Sequence, residues 1–195
     1  MCPSSADALF AAARACTLCA DHLPLGPRPV FQADPRARIL IAGQAPGRRV
    51  HASGLPFDDA SGERLRDWLG IGREVFYDPA RVAILPMGFC YPGSGRGGDL
   101  PPRPECAAAW RAQFMAHLPA LELTVVLGQH AMDFHLHTGR MPLTEVVRDW
   151  RRHWPRAVPL PHPSPRNNRW LVRNPWFADT VLPALKARVA QVLAG

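Results

Sequence analysis

Four short apolar runs stand out along the chain: ArgIleLeuIleAla (38–42), ValAlaIleLeu (82–85), LeuThrValValLeu (123–127) and AlaValProLeu (157–160). Runs of this length bounded by turn residues read as buried strands, and each of the first three hands over to Gly or Pro. Between and around them the apolar spacing is helical. Leu9, Phe10, Ala13 and Leu18 place a helix over 5–19, which the proline-rich stretch 23–29 stops. Further helices are predicted over 63–69, 104–117, 129–135 and 143–150, and a last one over 176–193. Strands alternating with helices predict an α/β fold: a single domain with a central, mostly parallel four-stranded sheet and helices on both faces. Ligands of such sheets sit beyond the carboxyl ends of the strands. Here those ends carry GlyGlnAlaProGly (43–47), ProMetGly (86–88), GlyGlnHis (128–130) and HisProSerPro (162–165). No internal repeat or low-complexity linker divides the chain.

Composition narrows the class. A chain of 195 residues with 47% hydrophobic and 20% charged residues buries a core as one domain. Its formal charge is +7, and Lys186 is the only lysine, so the excess is carried by arginine. That favours a polyanionic partner, although a genome rich in arginine codons gives the same excess. No apolar run approaches the roughly 20 residues of a membrane span, and the first residues lack the layout of a secretory signal. The expectation is a cytoplasmic protein with no membrane partner.

Of five cysteines, Cys16 and Cys19 form a C-x2-C pair, while Cys90 and Cys106 lie far away with fifteen residues between them. In a reducing compartment such residues are metal ligands, reactive thiols or buried small side chains. Zinc sites more often use two short pairs, whereas iron-sulfur clusters accept long irregular loops. On spacing alone a cluster, a zinc ion and unliganded thiols all remain open. Cys2, at the terminus, is left out of the set.

Other residues have a chemical and a plain reading. Gly43 and Gly47 let the main chain turn tightly after a strand and approach a ligand, with Pro46 fixing the turn. Phe57 offers either an aromatic stacking face or ordinary core packing. His162 lies in a loop stiffened by Pro163 and Pro165. Asp58 and Asp59 are either a carboxylate pair available for acid–base work or caps of the helix that follows. Arg166, Arg169 and Arg173 make a polyanion-facing arm or a solvated charged loop.

Taken in order, four features carry a resemblance: the Cys16/Cys19 pair; GlyGlnAlaProGly at 43–47 with GlyLeuProPhe at 54–57; Cys90, TyrProGly, ProArgProGlu and Cys106; and HisProSerProArgAsn at 162–167. Over about residues 9–190 the chain resembles the uracil-DNA glycosylase superfamily, and most closely its iron-sulfur-containing family four branch. The resemblance implies a structural [4Fe-4S] cluster on Cys16, Cys19, Cys90 and Cys106, joining the N-terminal helix to the 90–106 loop. It implies DNA containing uracil as the partner of a monomer. The flipped base would lie against Gly43, Gln44, Ala45, Phe57, Met87 and Gly88, and the DNA against Ser164, Arg166 and Arg169.

Within that resemblance His162 donates a hydrogen bond to the base carbonyl. The chemistry needs such a donor, because breaking the glycosidic bond leaves negative charge on the base and a cationic sugar. Arg166 occupies the position of an intercalating side chain. The chain also departs from the pattern. Gln44 replaces the usual glutamate of the branch, Pro86 stands where many relatives read uracil with asparagine, and Ala45 replaces the aspartate with which housekeeping enzymes handle water. Asp58 or Asp59 is expected to take that last role. The expected activity is a monofunctional glycosylase that leaves an abasic site. A non-catalytic or covalently trapping uracil-DNA binder and an iron-sulfur electron carrier are the rival classes.

Overall fold

The computed structural model describes residues 5–139 and 141–195. Its elements begin with α1 (Ala6–Arg14), β1 (Ile39–Ala42), α2 (Arg48–Ser53), α3 (Ala60–Leu69), α4 (Arg73–Phe76) and β2 (Val82–Ile84). A small hairpin of β3 (Ser94–Gly95) and β4 (Gly98–Asp99) leads to α5 (Pro104–Ala116). The second half holds β5 (Leu123–Leu127), α6 (Gln129–His135), α7 (Leu143–Arg148), β6 (Ala157–Leu160), α8 (Asn168–Arg173) and α9 (Leu182–Ala194).

β1, β2, β5 and β6 form one sheet in the order β2-β1-β5-β6, with every pairing parallel. Ile39 pairs with both Val82 and Leu123, and Thr124 with Ala157. All four residues of β1 are buried. Since successive strand residues point to opposite faces, both faces of the sheet are covered. The edges are managed too. Pro159 lies in edge strand β6, where a missing N–H is tolerated. Gln32 closes the β2 edge by exchanging main-chain hydrogen bonds with Ile84 at 2.7 and 2.9 Å.

The four predicted strands lie within a residue of their expected bounds, and the sheet is the expected α/β arrangement. The first helix is shorter than predicted. Its buried face is Leu9, Phe10 and Ala13, while Leu18, the fourth position of the supposed stripe, is 59% exposed. Beyond Ala13 there is no apolar face to hold a helix, so the chain turns at Ala15. The helix predicted over 143–150 ends at Arg148 and passes into a tighter turn at Trp150–Arg152. The last predicted helix is interrupted, opening with a wide turn at Phe177–Val181 before α9. α2, α4, α8 and the hairpin carried too few periodic positions to be predicted. Among the described residues no helix is long and apolar enough to cross a membrane.

α3 shows how tightly the loops are built onto this frame. Asp59 caps it, its Oδ1 accepting from Gly62 N–H at 3.0 Å. A Cβ on Gly62 would sit 1.8 Å from the Phe57 carbonyl oxygen. Only glycine lets the first turn of α3 press against the preceding loop. Gly62→Ala is therefore expected to lower unfolding stability by about 1–3 kcal/mol, the usual cost of overpacking, as read from urea denaturation. Unchanged stability would show that the 57–62 segment is looser than drawn.

Candidate active site

Beyond the carboxyl ends of the strands, three loops and the hairpin surround a cavity of about 610 Å³. Gly43–Gly47 follows β1, Pro86 follows β2, and His162–Asn167 follows β6. The segment Pro56–Ser61 supplies a further wall, and Gly97 and Asp99 of the hairpin supply the last. The β1 loop is anchored from behind. Met87 N–H donates to the Gly43 carbonyl at 2.9 Å and Gly88 N–H to that of Gln44 at 3.0 Å.

Phe57 is held over this loop at a conformational cost. Its φ of 54° places a non-glycine residue in the left-handed region, a strain that persists only where the surroundings over-determine it. Tyr77 O–H supplies part of that constraint, reaching the carbonyls of Pro56 at 2.9 Å and Phe57 at 3.2 Å. A Cβ on Gly43 would meet the Phe57 ring edge at 3.6 Å. That is ordinary van der Waals distance, so the loop and the ring pack directly against each other in the cavity wall.

His162 is fixed by its own loop. Its Nδ1 accepts the Ser164 N–H at 3.2 Å, and its carbonyl accepts from Asn167 Nδ2 at 2.7 Å. Arg64 donates to the carbonyls of Pro163 and Ser164, both at 3.2 Å. Burial lowers the imidazole's proton affinity, and the carboxylates of Asp59 and Asp99 only partly oppose this. The ring is therefore neutral at physiological pH. With Nδ1 used as an acceptor, its single proton must sit on Nε2. The product is an uncharged N–H donor in the cavity wall, 6.4 Å between ring centroids from Phe57.

The remaining candidates divide. Gly43, Gln44, Ala45, Phe57, Asp59, His162, Ser164 and Arg166 line the cavity. Met87 and Gly88 do not; they lie behind the β1 loop, and their amides are the anchors just described. Asp58 is turned away, its carboxylate 3.3 Å from Arg73. Arg169 is exposed on α8, outside the cavity. Arg166 does not extend freely: its Nη1 donates to the Gly97 carbonyl at 3.0 Å, bridging the His162 loop to the hairpin. Arg49, Asn167 and Asp99 also line the cavity and were not anticipated. Asp99 lies in a glycine-rich stretch with no periodicity, and only the fold of the hairpin brings it here.

Cys16, Cys19, Cys90 and Cys106 line one small cavity of about 20 Å³ with Phe89, Arg103 and Trp110. Two N–H groups point at sulfur: Phe89 N–H at 3.3 Å from Cys106 Sγ, and Trp110 Nε1–H at 3.4 Å from Cys16 Sγ. Burial pushes the Cys106 thiol up to about 12, and burial with neighbouring charge raises Cys19 and Cys90. Thiolates there need a cationic centre to persist. Among the described residues no three His, Cys, Asp or Glu side chains are close enough to hold a metal ion. The four cysteines line the same small cavity without forming such a group. Cys2 lies outside the described residues.

Sequence relationships agree with this geometry. Residues 30–186 match the model of the Uracil DNA glycosylase superfamily. The chain is also similar to the Type-4 uracil-DNA glycosylase of Thermotoga maritima, at 29% identity over 167 residues, which cover 82% of this chain and 79% of the relative. The matched region contains the cavity's β1, β2 and β6 loops, its Pro56–Ser61 and hairpin walls, and two of the four cysteines. The chain belongs to the uracil DNA glycosylase superfamily.

Proposed function

We propose that this protein is a monofunctional uracil-DNA glycosylase that takes a flipped uracil into the 610 Å³ cavity and hydrolyses its N-glycosidic bond. The observation that carries this reading is the neutral His162, whose Nε2–H is the one proton its ring has to offer. The base lies against Gly43, Gln44 and Ala45 with Phe57 over its face, and His162 donates to a carbonyl oxygen. As the C1′–N1 bond breaks, its electron pair leaves with the base, and the donor strengthens as that charge grows. Water adds to the sugar cation and releases a proton, leaving an abasic site. Lyase chemistry needs an amine nucleophile. Lys186, the only lysine, lies in α9 beside Asp67 at 3.7 Å and outside the cavity lining.

Ser164, Arg166 and Arg169 would face the DNA backbone or the gap left by the base. Cys16, Cys19, Cys90 and Cys106 would hold a [4Fe-4S] cluster, a set of four thiols with two N–H donors that fits such a group. When bound it supplies a structural cross-link rather than a reactive centre. The protein itself joins the end of α1 to α5 where Trp110 Nε1–H meets Cys16 Sγ at 3.4 Å.

His162→Ala should lower single-turnover release of uracil by about 10²-fold or more, the scale of removing one preorganised donor. Cleavage at the parent rate would refute the assignment of this site. Because the imidazole titrates below the ordinary value of 6.5, the neutral donor survives as pH falls through that value. The parent's rate should stay level down to about pH 6.5 and decline only in more acid solution; a decline centred above it would contradict a buried neutral histidine.

Protein prepared anaerobically should be brown and contain iron and acid-labile sulfide, and Cys106→Ser should lose both. Colourless, iron-free parent protein would exclude the cluster.

Arg166→Ala should slow cleavage in duplex DNA more than in single strands, because only a duplex leaves a stacked gap to fill. Equal losses on both would instead assign Arg166 to holding the hairpin through Gly97.

A further inference from the structure

Hydrolysis through a sugar cation is assisted by a carboxylate beside the sugar, which faces the positive charge and takes a proton from the incoming water. The motif loop brings none, since Ala45 stands at that point of the cavity wall. Asp58 is directed to Arg73. Asp59 is in the lining, but one of its oxygens caps α3, and it adjoins Phe57 on the wall that receives the base.

Asp99 is differently placed. It lines the same cavity from the hairpin, on the side where Gly97 meets Arg166. It is exposed, as a group at the mouth must be, and among the described residues it has no ion-pair partner. Its Oδ1 accepts from Ser94 Oγ at 2.9 Å, and that hydroxyl is in turn 2.7 Å from the hydroxyl of buried Tyr91. The carboxylate is thereby oriented, with Oδ2 turned toward the motif loop. A Cβ on Gly47 would lie 3.4 Å from that oxygen. A nucleotide that enters base first, as the glycosylase reading requires, would leave its C1′ on the exposed side of the cavity, where Asp99 lies.

We propose that Asp99 is the carboxylate that positions the attacking water, replacing from a different loop the group that Ala45 lacks. This rests on the glycosylase reading above. The C1′–N1 bond breaks with its electron pair on the base; a water oxygen held by Asp99 Oδ2 forms the new bond to C1′. One water proton passes to the Asp99 carboxylate and then, through solvent, to the base anion. Products are neutral uracil and a 1′-hydroxyl, and the carboxylate is regenerated. His162 acts on the leaving group and Asp99 on the nucleophile.

The test compares parent protein, Asp99→Asn and Asp59→Asn in single-turnover cleavage of a uracil-containing oligonucleotide. Affinity for the same oligonucleotide carrying a non-hydrolysable 2′-fluorinated deoxyuridine is measured alongside. Asparagine keeps the acceptor for Ser94, so the hairpin is preserved. The expected result is a fall of about 10-fold or more in rate for Asp99→Asn, larger than for Asp59→Asn, with affinity for the analogue unchanged. Parent-like cleavage by Asp99→Asn overturns the assignment. So does a parallel loss of affinity, which would make Asp99 a scaffold of the hairpin. If the parent itself releases no uracil, the glycosylase reading falls and takes this one with it.

Discussion

Two main-chain hydrogen bonds just past the sheet bind the rest of the site together: Met87 N–H to the Gly43 carbonyl and Gly88 N–H to that of Gln44. They continue the β1–β2 ladder for two residues after the strands have ended, so the motif loop cannot move independently of the 86–90 segment. That segment runs from Pro86 in the cavity wall to Cys90 at the cysteine site within four residues. Beneath it Arg111, buried and 3% exposed, donates both Nη groups to the Leu85 carbonyl at 3.1 Å. Its burial without a carboxylate lowers its proton affinity to about 10, still far above physiological pH, so the cation persists. A charge kept there at that desolvation cost fixes the point where β2 passes into both sites.

The cysteine site and the cavity are therefore joined through one short, doubly anchored segment. A Cβ on Gly88 would press on Pro102 at 3.0 Å, so the segment that anchors the motif loop is also clamped by the approach to α5. Strain at Phe57 is sustained in the same manner, by Tyr77 on one side and the close approach of Gly62 on the other. Rigid placement of this kind lets loops perform work that demands sub-ångström precision.

The strands were legible because a buried parallel strand needs an unbroken apolar run, and the runs at 123–127 and 157–160 match β5 and β6 residue for residue. α2 and the hairpin were not, since six residues or two carry no periodic signal. His162 could be singled out by its proline-framed loop, yet its protonation could not, because the tautomer depends on Ser164 N–H folding back onto Nδ1. Met87 and Gly88 sat at a strand end, the correct region, but sequence does not reveal that their amides are spent on the neighbouring loop. Asp58 and Asp59 look equivalent in sequence. One residue of helix register separates a cap in the cavity wall from a surface partner of Arg73.

Charge placement in the cavity matches what each end of the proposed reaction needs. A cationic histidine there would have to be held by a counter-ion in the resting state, and that attraction would be weakened as the base took up negative charge. A neutral Nε2–H has no such prior partner, so its interaction grows from an ordinary hydrogen bond to a charge-assisted one as the bond breaks. The nearby carboxylates would favour the cation, but burial of the ring outweighs them. In the proposed reaction, the burial that lowers the ring's proton affinity thus keeps the histidine in the state that distinguishes transition state from ground state.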